Sequence, residues 1–204
     1  MEKVNIKLEE HQRIFFTSDT HFGHKNVIEF VNRPFVDVKD MSEGLIQRWN
    51  DKVRSCDVVF HCGDVCWFNS RHDTKKVLEK LNGTIYIVLG NHDTRKQFEL
   101  CDPEKIKILD DTTALYITGS TEQEKPSKPI EIFLSHNPQM TWPHRMYGVP
   151  NFFGHIHSGP RSKAEHDQDL PLWDSQYDVG VDNNNYAPIE LKEALKKVNW
   201  KRSK

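Results

Sequence analysis

The sequence has no long apolar run. No segment approaches the roughly 18 consecutive apolar residues that indicate a transmembrane helix. The first residues, which include Glu2, Lys3 and Asn5, contain no apolar core of a secretory signal peptide. These absences predict a soluble, cytoplasmic protein with no membrane partner.

The sequence also has no large excess of acidic or basic residues. The 204 residues include 30 acidic and 28 basic ones, so no overall field favours a nucleic-acid partner. An amphipathic helical pattern at residues 191–200 leads into a basic tail, and cations are favourable at the end of a helix. Nucleic-acid binding is therefore an alternative that the sequence does not favour. The tail consists of Lys196, Lys197, Lys201, Arg202 and Lys204.

Cysteine is scarce, and its spacing excludes a secreted disulfide scaffold. The four cysteines are Cys56, Cys62, Cys66 and Cys101. Cys62 and Cys66 flank Asp64, where they would be thiolate ligands or small buried residues at a strand end. A structural zinc site needs a second cysteine pair with similar spacing, and none is present, so the second interpretation is favoured.

Histidine is abundant, with 11 residues. Five short polar motifs lie in order along the chain, and four of them follow an apolar run typical of a strand. Together they supply oxygen and nitrogen ligands for two adjacent divalent metal ions. The motifs are Asp19-Thr20-His21, Gly63-Asp64, Gly90-Asn91-His92-Asp93, Ser135-His136 and Gly154-His155-Ile156-His157.

The spacing within the motifs suits metal binding. Asp19 and His21 are two residues apart, so both side chains leave an extended segment on one face. Asp64 follows Gly63, which lets the backbone pass close to a neighbouring group, and its carboxylate can bridge two ions. Asn91 offers a neutral amide oxygen, which suits a divalent ion in a site that already carries negative charge.

Apolar runs predict strands at residues 14–17, 58–60, 85–89, 114–117, 130–134, 152–153 and 179–181. Helical periodicity predicts helices at residues 41–53, capped by Asp40 or Ser42, and at residues 71–81. Residues 120–129 and 158–176 are predicted to be surface loops. The first half alternates strand and helix while the second is mostly strand, which favours paired sheets flanked by helices.

The ordered motifs resemble those of the calcineurin-like metallophosphoesterase superfamily, and the resemblance extends from about Arg13 to Pro188. The segments 18–24, 32–35 and 177–182 resemble a small bacterial and phage branch of it. The resemblance implies an α/β fold, a four-layer α/β/β/α sandwich of two mixed sheets flanked by helices. We predict a single metallophosphoesterase domain spanning residues 1–204.

The resemblance also implies the role of each motif residue. Metal one would be held by Asp19, His21, Asp64 and His157, and metal two by Asp64, Asn91, His136 and His155. His92 would be the catalytic histidine that protonates the leaving oxygen. A nitrogen and oxygen donor set without thiolates points to two divalent ions, with Mn²⁺ favoured and Fe, Zn²⁺, Ni²⁺ or Co²⁺ as alternatives.

The sequence indicates the residues that contact the substrate less clearly than it indicates the metal ligands. His24 and Arg33 lie close to the first motif and are candidates to bind the substrate phosphate, although Arg33 is also open to pairing with a surface carboxylate. Protein phosphatases of the superfamily carry an acidic residue three positions after the bridging aspartate, where this chain has Trp67. This departure weakens a protein phosphatase assignment and leaves Asp93 or a backbone carbonyl to orient His92.

The predicted function is hydrolysis of a small phosphoester, with a phosphodiester or nucleotide-type substrate favoured, through attack of a hydroxide that bridges the metals. The alternatives are a nuclease of the same superfamily and a non-catalytic metal-binding interaction scaffold. The oligomeric state does not follow from the sequence. Aromatic residues near the motifs could stack a base or belong to the core: Trp67, Phe68, Trp142, Tyr147 and Trp173.

Overall fold

Ten β-strands and four α-helices make up the part of the chain that the structure, a computed structural model, describes: residues 1–119, 129–161 and 170–198. The strands are β1 (Glu2–Leu8), β2 (Ile14–Thr17), β3 (Val58–His61), β4 (Thr84–Ile87), β5 (Ile106–Ile108), β6 (Thr112–Gly119), β7 (Ile130–Ser135), β8 (Asn151–Phe153), β9 (Gln176–Asp178) and β10 (Ile189–Glu190). The helices are α1 (Val27–Phe30), α2 (Val38–Lys52), α3 (Arg71–Glu79) and α4 (Leu191–Lys197). Short 3-10 helices span Arg95–Phe98, Arg145–Tyr147 and Val181–Asn183. Most of the predicted loop at 120–129, part of the loop at 158–176, and Lys201, Arg202 and Lys204 of the basic tail lie outside the described residues.

The strands form two mixed sheets of five. One sheet has the order β1-β6-β7-β8-β9, in which only the β6-β7 pair is antiparallel. The other has the order β10-β2-β3-β4-β5, in which β2 to β5 are parallel and β10 is antiparallel to β2. The parallel strands of each sheet therefore present several carboxyl ends at one edge.

Alternation along the strands divides the apolar side chains between two faces. Phe16 and Phe60 pack between the sheets against Phe152, whereas Phe15 and Val59 on the same strands face the helices. The ring centroids of Phe16 and Phe152 are 4.8 Å apart. Removing a buried phenylalanine side chain costs about 3–5 kcal/mol, so this contact fixes how the two sheets meet.

Helices cover the outer face of the second sheet. Met41, Leu45 and Trp49 of α2 and Leu78 of α3 are buried in the cluster that contains Phe15. On the outer face of the first sheet, Phe133 packs against Trp142 and Val149 of a loop that includes the 3-10 helix Arg145–Tyr147. The predicted α/β sandwich of two mixed sheets flanked by helices is confirmed.

Several boundaries differ from the sequence prediction. The apolar run at 179–181 is not a strand, because the paired residues are Gln176–Asp178 and a 3-10 helix begins at Val181. The sequence did not predict strands β1, β5 and β10. All three are edge strands, and each is short or rich in charge. Helix α2 begins three residues earlier than expected, and its cap is Asp37, whose carboxylate accepts from the amides of Lys39 and Asp40.

Within the described ranges, no helix is both long and apolar enough to cross a membrane.

Candidate metal centre

The five motifs lie at the carboxyl ends of strands, where the two sheets meet. The amide of Asp19 donates to the Gly63 carbonyl at 2.9 Å, and that of Gly154 to the His136 carbonyl at 2.9 Å. Across the sheets, the amide of His155 donates to the Asp19 carboxylate at 3.0 Å. These bonds hold the strand ends together and bring the predicted ligands into one place. The ligands follow β2 (Asp19, His21), β3 (Asp64), β4 (Asn91), β7 (His136) and β8 (His155, His157).

The backbone at this place is strained. Five of the seven predicted ligands have a positive φ, a conformation that costs a non-glycine residue on the order of 1–3 kcal/mol. Such strain is kept where the surrounding structure and a function require it, and here it turns side chains from different loops toward one another. The five are Asp19 (φ 56°), His21 (49°), Asp64 (56°), His155 (71°) and His157 (47°).

Glycine allows the loops to approach so closely. A Cβ atom on Gly63, which has φ +98°, would lie 2.6 Å from the Gly90 Cα and 2.6 Å from His136 Nδ1. A Cβ on Gly90 would overlap the Asp64 carboxylate, and one on Gly154 would overlap the Asp19 carboxylate. The glycines that precede Asp64, Asn91 and His155 therefore provide space that neighbouring ligands occupy.

The first group of ligands surrounds a buried imidazole nitrogen. Ligand atoms of Asp19, His21 and His157 lie within 4.8 Å of one another. His21 Nε2 is buried, has no hydrogen-bond partner in the described structure, and lies 3.5 Å from Asp64 Oδ2. Burial lowers the pKa of His21 well below its ordinary value, and nearby His157 adds to the effect. A neutral nitrogen with a free lone pair is what a metal ion requires of histidine.

The second group shares Asp64 with the first. Asp64 Oδ2 lies 3.6 Å from His136 Nε2, and Asn91 Oδ1 lies 2.9 Å from the same nitrogen and 3.1 Å from His155 Nδ1. Ligand atoms of Asp19, Asp64 and His136 also lie within 4.8 Å of one another. Asp64 is thus placed between the two groups, as expected of a bridging ligand.

The donor atoms suit divalent cations. His136 Nδ1 faces the Cys62 carbonyl at 2.7 Å, and a carbonyl can only accept, so Nδ1 carries the proton. In neutral His136 the lone pair of Nε2 then points at the amide oxygen of Asn91, which is also an acceptor. Two facing acceptors repel, and a cation coordinated by both turns this repulsion into attraction. Together with the orphaned His21 nitrogen, this arrangement fits a metal ion.

Burial of Asp64 carries a cost that a cation would remove. Burial raises the pKa of Asp64, His136 opposes the shift, and the charge of Asp19 adds to it. Asp178, which the sequence analysis did not single out, is fully buried nearby, and its pKa is raised to about 7 by burial and by Asp19. The centre therefore concentrates carboxylates that positive charge would stabilise.

A buried ion pair supports the first group from behind. Asp182 Oδ2 accepts from His157 Nδ1 at 2.7 Å and from Arg33 Nη2 at 2.8 Å, and Asp182 Oδ1 accepts from Arg33 Nε at 2.9 Å. Burial acts to raise the pKa of Asp182, but Arg33 and His157 outweigh it and lower the value. A carboxylate on the far nitrogen fixes the tautomer of a ligating histidine and leaves Nε2 for the metal.

The prediction that Arg33 contacts a substrate phosphate needs correction. The Arg33 side chain is 0% exposed, and besides Asp182 it donates to the carbonyl oxygens of Asp19 and Thr20. Its donors are directed into the protein, because a buried guanidinium must be paired. Its partner Asp182 is a buried carboxylate, so the alternative of a surface carboxylate is wrong as well.

The other predicted contacts lie at the rim. His24 is half-buried, with its Nδ1 3.3 Å from His21 Nδ1, and burial lowers its pKa. His92 is 39% exposed, with its Nε2 3.9 Å from Asp64 Oδ2. His92 therefore lies beside the ligands and open to solvent.

Asp93 does not orient His92. Its carboxylate accepts from the amides of Asp64 at 2.7 Å, Gly90 at 3.0 Å and Val65 at 3.1 Å. Asp93 therefore shapes the loops that carry Asp64 and Asn91. In the described part of the chain, the imidazole of His92 has instead a ring neighbour, Trp67, with a centroid distance of 4.4 Å.

The chain matches the family of calcineurin-like phosphoesterases over residues 12–182. This protein belongs to that family. Membership supports a metal-dependent phosphoesterase in general terms and implies divalent metal ions. The candidate ligands are the two groups that have Asp19 in common, one with His21 and His157 and the other with Asp64 and His136.

Other proteins resemble the chain. An uncharacterized protein of Methanocaldococcus jannaschii is 30% identical over 191 residues, which cover 92% of each chain. The Gene 66 protein of Mycobacterium phage L5 is 34% identical over 85 residues, 39% of each chain. The crystal structure of a protein of unknown function from Aquifex aeolicus has a TM-score of 0.61 and 24% identity, covering 92% of this chain and 100% of that one. The last similarity shows that the two chains share a fold.

The roles of Asp178 and Asp182 in supporting the ligands did not follow from the sequence. Both lie in the segment 177–182, which resembles one branch of the superfamily. The available signal is that these two aspartates flank a short apolar run, since carboxylates so placed can support ligands. Their partners, Ser158 for Asp178 and Arg33 and His157 for Asp182, could not be read from the sequence.

Proposed function

We propose that this protein hydrolyses phosphoester bonds with two divalent metal ions, and that its substrate is a phosphodiester or a nucleotide-type molecule. The observation that carries the proposal is the position of Asp64. Its Oδ2 lies 3.5 Å from His21 Nε2 and 3.6 Å from His136 Nε2, between two groups of ligands. One carboxylate so placed can be shared by two ions.

When bound, two divalent ions would supply an activated water at neutral pH and would stabilise the charge of an in-line displacement. The side chains of the proposed ligands determine the net charge of the centre. Asp19 and Asp64 are the two carboxylates among the seven proposed ligands, Asn91 carries no charge, and a histidine that coordinates a metal ion does so in its neutral form. The ligands thus carry less negative charge than two divalent ions carry positive charge, so the centre attracts an anionic substrate. The absence of thiolates among these ligands favours Mn²⁺ over softer metal ions, which prefer sulfur ligands.

His92 is proposed as the catalytic acid. Its imidazole is open to solvent beside Asp64, and its own amide donates to Asp64 Oδ1 at 3.0 Å. The loop that carries the acid is thus attached to the shared ligand. In the proposed reaction, protonated His92 donates its proton to the oxygen of the leaving alcohol as the phosphorus–oxygen bond breaks, and water then returns a proton to the imidazole.

The donors at the rim favour a phosphodiester. Arg33 is turned inward, so His24 and His92 remain as the proposed contacts to the phosphate. Imidazoles suit the single negative charge of a diester better than the double charge of a monoester, which arginine forks usually bind. A small phosphoester or nucleotide is accordingly the proposed partner.

The test is hydrolysis of bis-p-nitrophenyl phosphate and p-nitrophenyl phosphate side by side. Chelator-stripped protein receives Mn²⁺, and His92→Ala is compared with His72→Ala, which removes an exposed histidine of α3. We expect metal-dependent cleavage of the diester that His92→Ala loses and His72→Ala keeps. His92→Ala should still bind both ions, whereas Asp64→Asn should weaken metal binding itself.

Other outcomes would change the assignment. Equal loss of metal in His92→Ala and Asp64→Asn would contradict a role of His92 outside the ligand set. Bound metal without turnover of either ester, or of a panel of nucleotides, would favour the interaction scaffold. Cleavage of DNA or RNA with strong salt dependence would favour the nuclease.

A further inference from the structure

His92 has a neighbour that the predicted function does not assign. Trp67 lies three residues after Asp64 and is 44% exposed at the rim of the metal centre. Its ring centroid is 4.1 Å from that of His24, with the planes 9° apart, and 4.4 Å from that of His92, with the planes 60° apart.

These distances place the indole between the two imidazoles. A ring that met the indole at its edge would have a longer centroid distance than 4.4 Å, so both histidines lie over its faces. Two rings on one face would touch each other, yet no ring contact between His24 and His92 occurs in the described structure. His24 therefore covers one face and His92 the other, which leaves neither face free to stack a base.

The backbone of Trp67 is fixed by hydrogen bonding to a buried segment. The amide of Trp67 donates to the Phe22 carbonyl at 2.7 Å, next to the bridge that pairs Phe22 with Cys66. Phe22 is fully buried, and Cys66 is 3% exposed. The indole thus starts from a rigid backbone position and is supported on its far face by His24.

The His92 ring has one other ring neighbour in the described structure, His21, with a centroid distance of 6.0 Å and the planes 58° apart. The distance of 3.9 Å between its Nε2 and Asp64 Oδ2 exceeds that of a hydrogen bond. Asp93 is occupied by backbone amides, as described above. Without the indole, the imidazole would keep only the more distant ring contact with His21.

We propose that Trp67 is the positioning residue of His92: its indole face restrains the imidazole so that the proton of His92 is delivered to the leaving oxygen. The face of an indole accepts no ordinary hydrogen bond, so it restrains the imidazole by ring contact while both ring nitrogens stay available. This inference rests on the proposed function of His92 as the catalytic acid.

The test compares Trp67→Leu with Trp67→Phe. Both substitutions replace a half-exposed side chain with an apolar one, but only phenylalanine keeps an aromatic face. The control is Phe30→Ala, which removes an aromatic ring that is 64% exposed and meets the edge of His24 at 6.4 Å without contacting His92. Metal content is measured for each variant.

The first readout is geometric and independent of turnover. In the Zn²⁺-loaded protein, the imidazole protons of His92, assigned with His92→Ala, should be shifted upfield by the ring current of Trp67. We expect Trp67→Leu to lose this shift, Trp67→Phe to keep part of it, and Phe30→Ala to leave it unchanged. An unchanged shift in Trp67→Leu would overturn the placement of the two rings.

The second readout compares phenyl and p-nitrophenyl esters of thymidine 5′-phosphate in the Mn²⁺-loaded protein. Phenolate is the poorer leaving group and depends more on the proton of His92. Trp67→Leu should lower kcat on the order of ten- to a hundredfold for the phenyl ester and much less for the p-nitrophenyl ester, with KM within about twofold. Trp67→Phe should recover most of the loss.

Equal losses for the two esters, or a loss of metal in Trp67→Leu, would show a structural role and contradict the proposal. If the unaltered protein cleaves neither ester, the proposed function fails by itself, and the resonance of His92 alone decides whether Trp67 positions it.

Discussion

Asp182→Asn should weaken the binding of one metal ion and spare the other. Asp182 touches His157 but none of the other proposed ligands in the described structure. The substitution keeps the size of the side chain but removes its charge. The new amide can no longer accept fully from both His157 Nδ1 and Arg33, so the tautomer of His157 that directs Nε2 to the metal is less favoured.

The magnitude follows from two effects. Loss of a carboxylate behind a ligating histidine weakens metal affinity by about 10- to 100-fold, or roughly 1.4–2.8 kcal/mol. Removing one partner of a buried ion pair costs stability of about 3–5 kcal/mol. Arg33 retains its two backbone acceptors, the carbonyls of Asp19 and Thr20, so the stability loss should fall toward the lower end.

The assay is a competition titration of Mn²⁺ against a chromophoric chelator, which resolves a tight and a weak site in the folded protein. The control is Asp57→Asn, which removes another buried carboxylate paired with arginines, Arg13 and Arg54, but away from the metal centre. Asp57→Asn should lower stability and leave both metal affinities unchanged. Asp182→Asn should weaken one site alone.

Unchanged affinity at both sites in Asp182→Asn would refute the assignment of His157 as a ligand supported by Asp182. An equal decrease at both sites would refute the independence of the two groups. Either result would be interpretable, because the control separates a loss of stability from a loss of metal affinity.

Three further predictions follow from the same structure. Gly63→Ala should lower the free energy of unfolding by about 3 kcal/mol or more in urea titrations, because its φ is +98° and the new Cβ would meet Gly90 and His136; a loss below about 1 kcal/mol would contradict the close approach. Hydrogen bonds from Arg54 and Arg13 outweigh burial and lower the pKa of Asp57 from 3.8 to about 2, so the stability that Asp57 provides is present above pH 4 and is lost as the pH falls toward 2. The difference between the unaltered protein and Asp57→Asn in urea should therefore be about 1–2 kcal/mol at pH 7, after allowance for solvent screening, and should fall to a few tenths of a kcal/mol near pH 2. Mn²⁺ at about 100 times its Kd should add about 2.7 kcal/mol per site to the stability of the unaltered protein, measured in denaturant, and much less to Asp64→Asn.

The fold was predictable where local pattern and burial agree. Strands such as β2, β3 and β7 are apolar runs bounded by polar motifs, and α2 shows a helical period, so their existence followed from the sequence. The strand β9 did not follow, because the apolar residues Val179 and Val181 lie in the turn after it rather than within it. Both valines are buried, and their amides donate to the carbonyls of Phe153 and Ser18 across the two sheets.

The residue types of the metal centre were likewise determined by the sequence. Aspartate, histidine and asparagine at the ends of apolar runs, with a glycine before several of them, specify oxygen and nitrogen donors at strand ends whatever the details of the fold. The assignment of these residues to two metal ions stays a prediction, and so does the single domain. The geometry around Asp64 supports the first.

Only the tertiary structure decided which charged residues support the centre and which face the substrate. Arg33 lies 149 positions from Asp182 in the sequence, and nothing in either segment shows that the two are paired in the interior. Trp67 lies beside His92, a relation that depends on how the loops after two neighbouring strands pack against each other. The sequence determines donors and strand ends because these are local properties, whereas pairing across long separations and the direction of side chains are fixed only when the two sheets pack together.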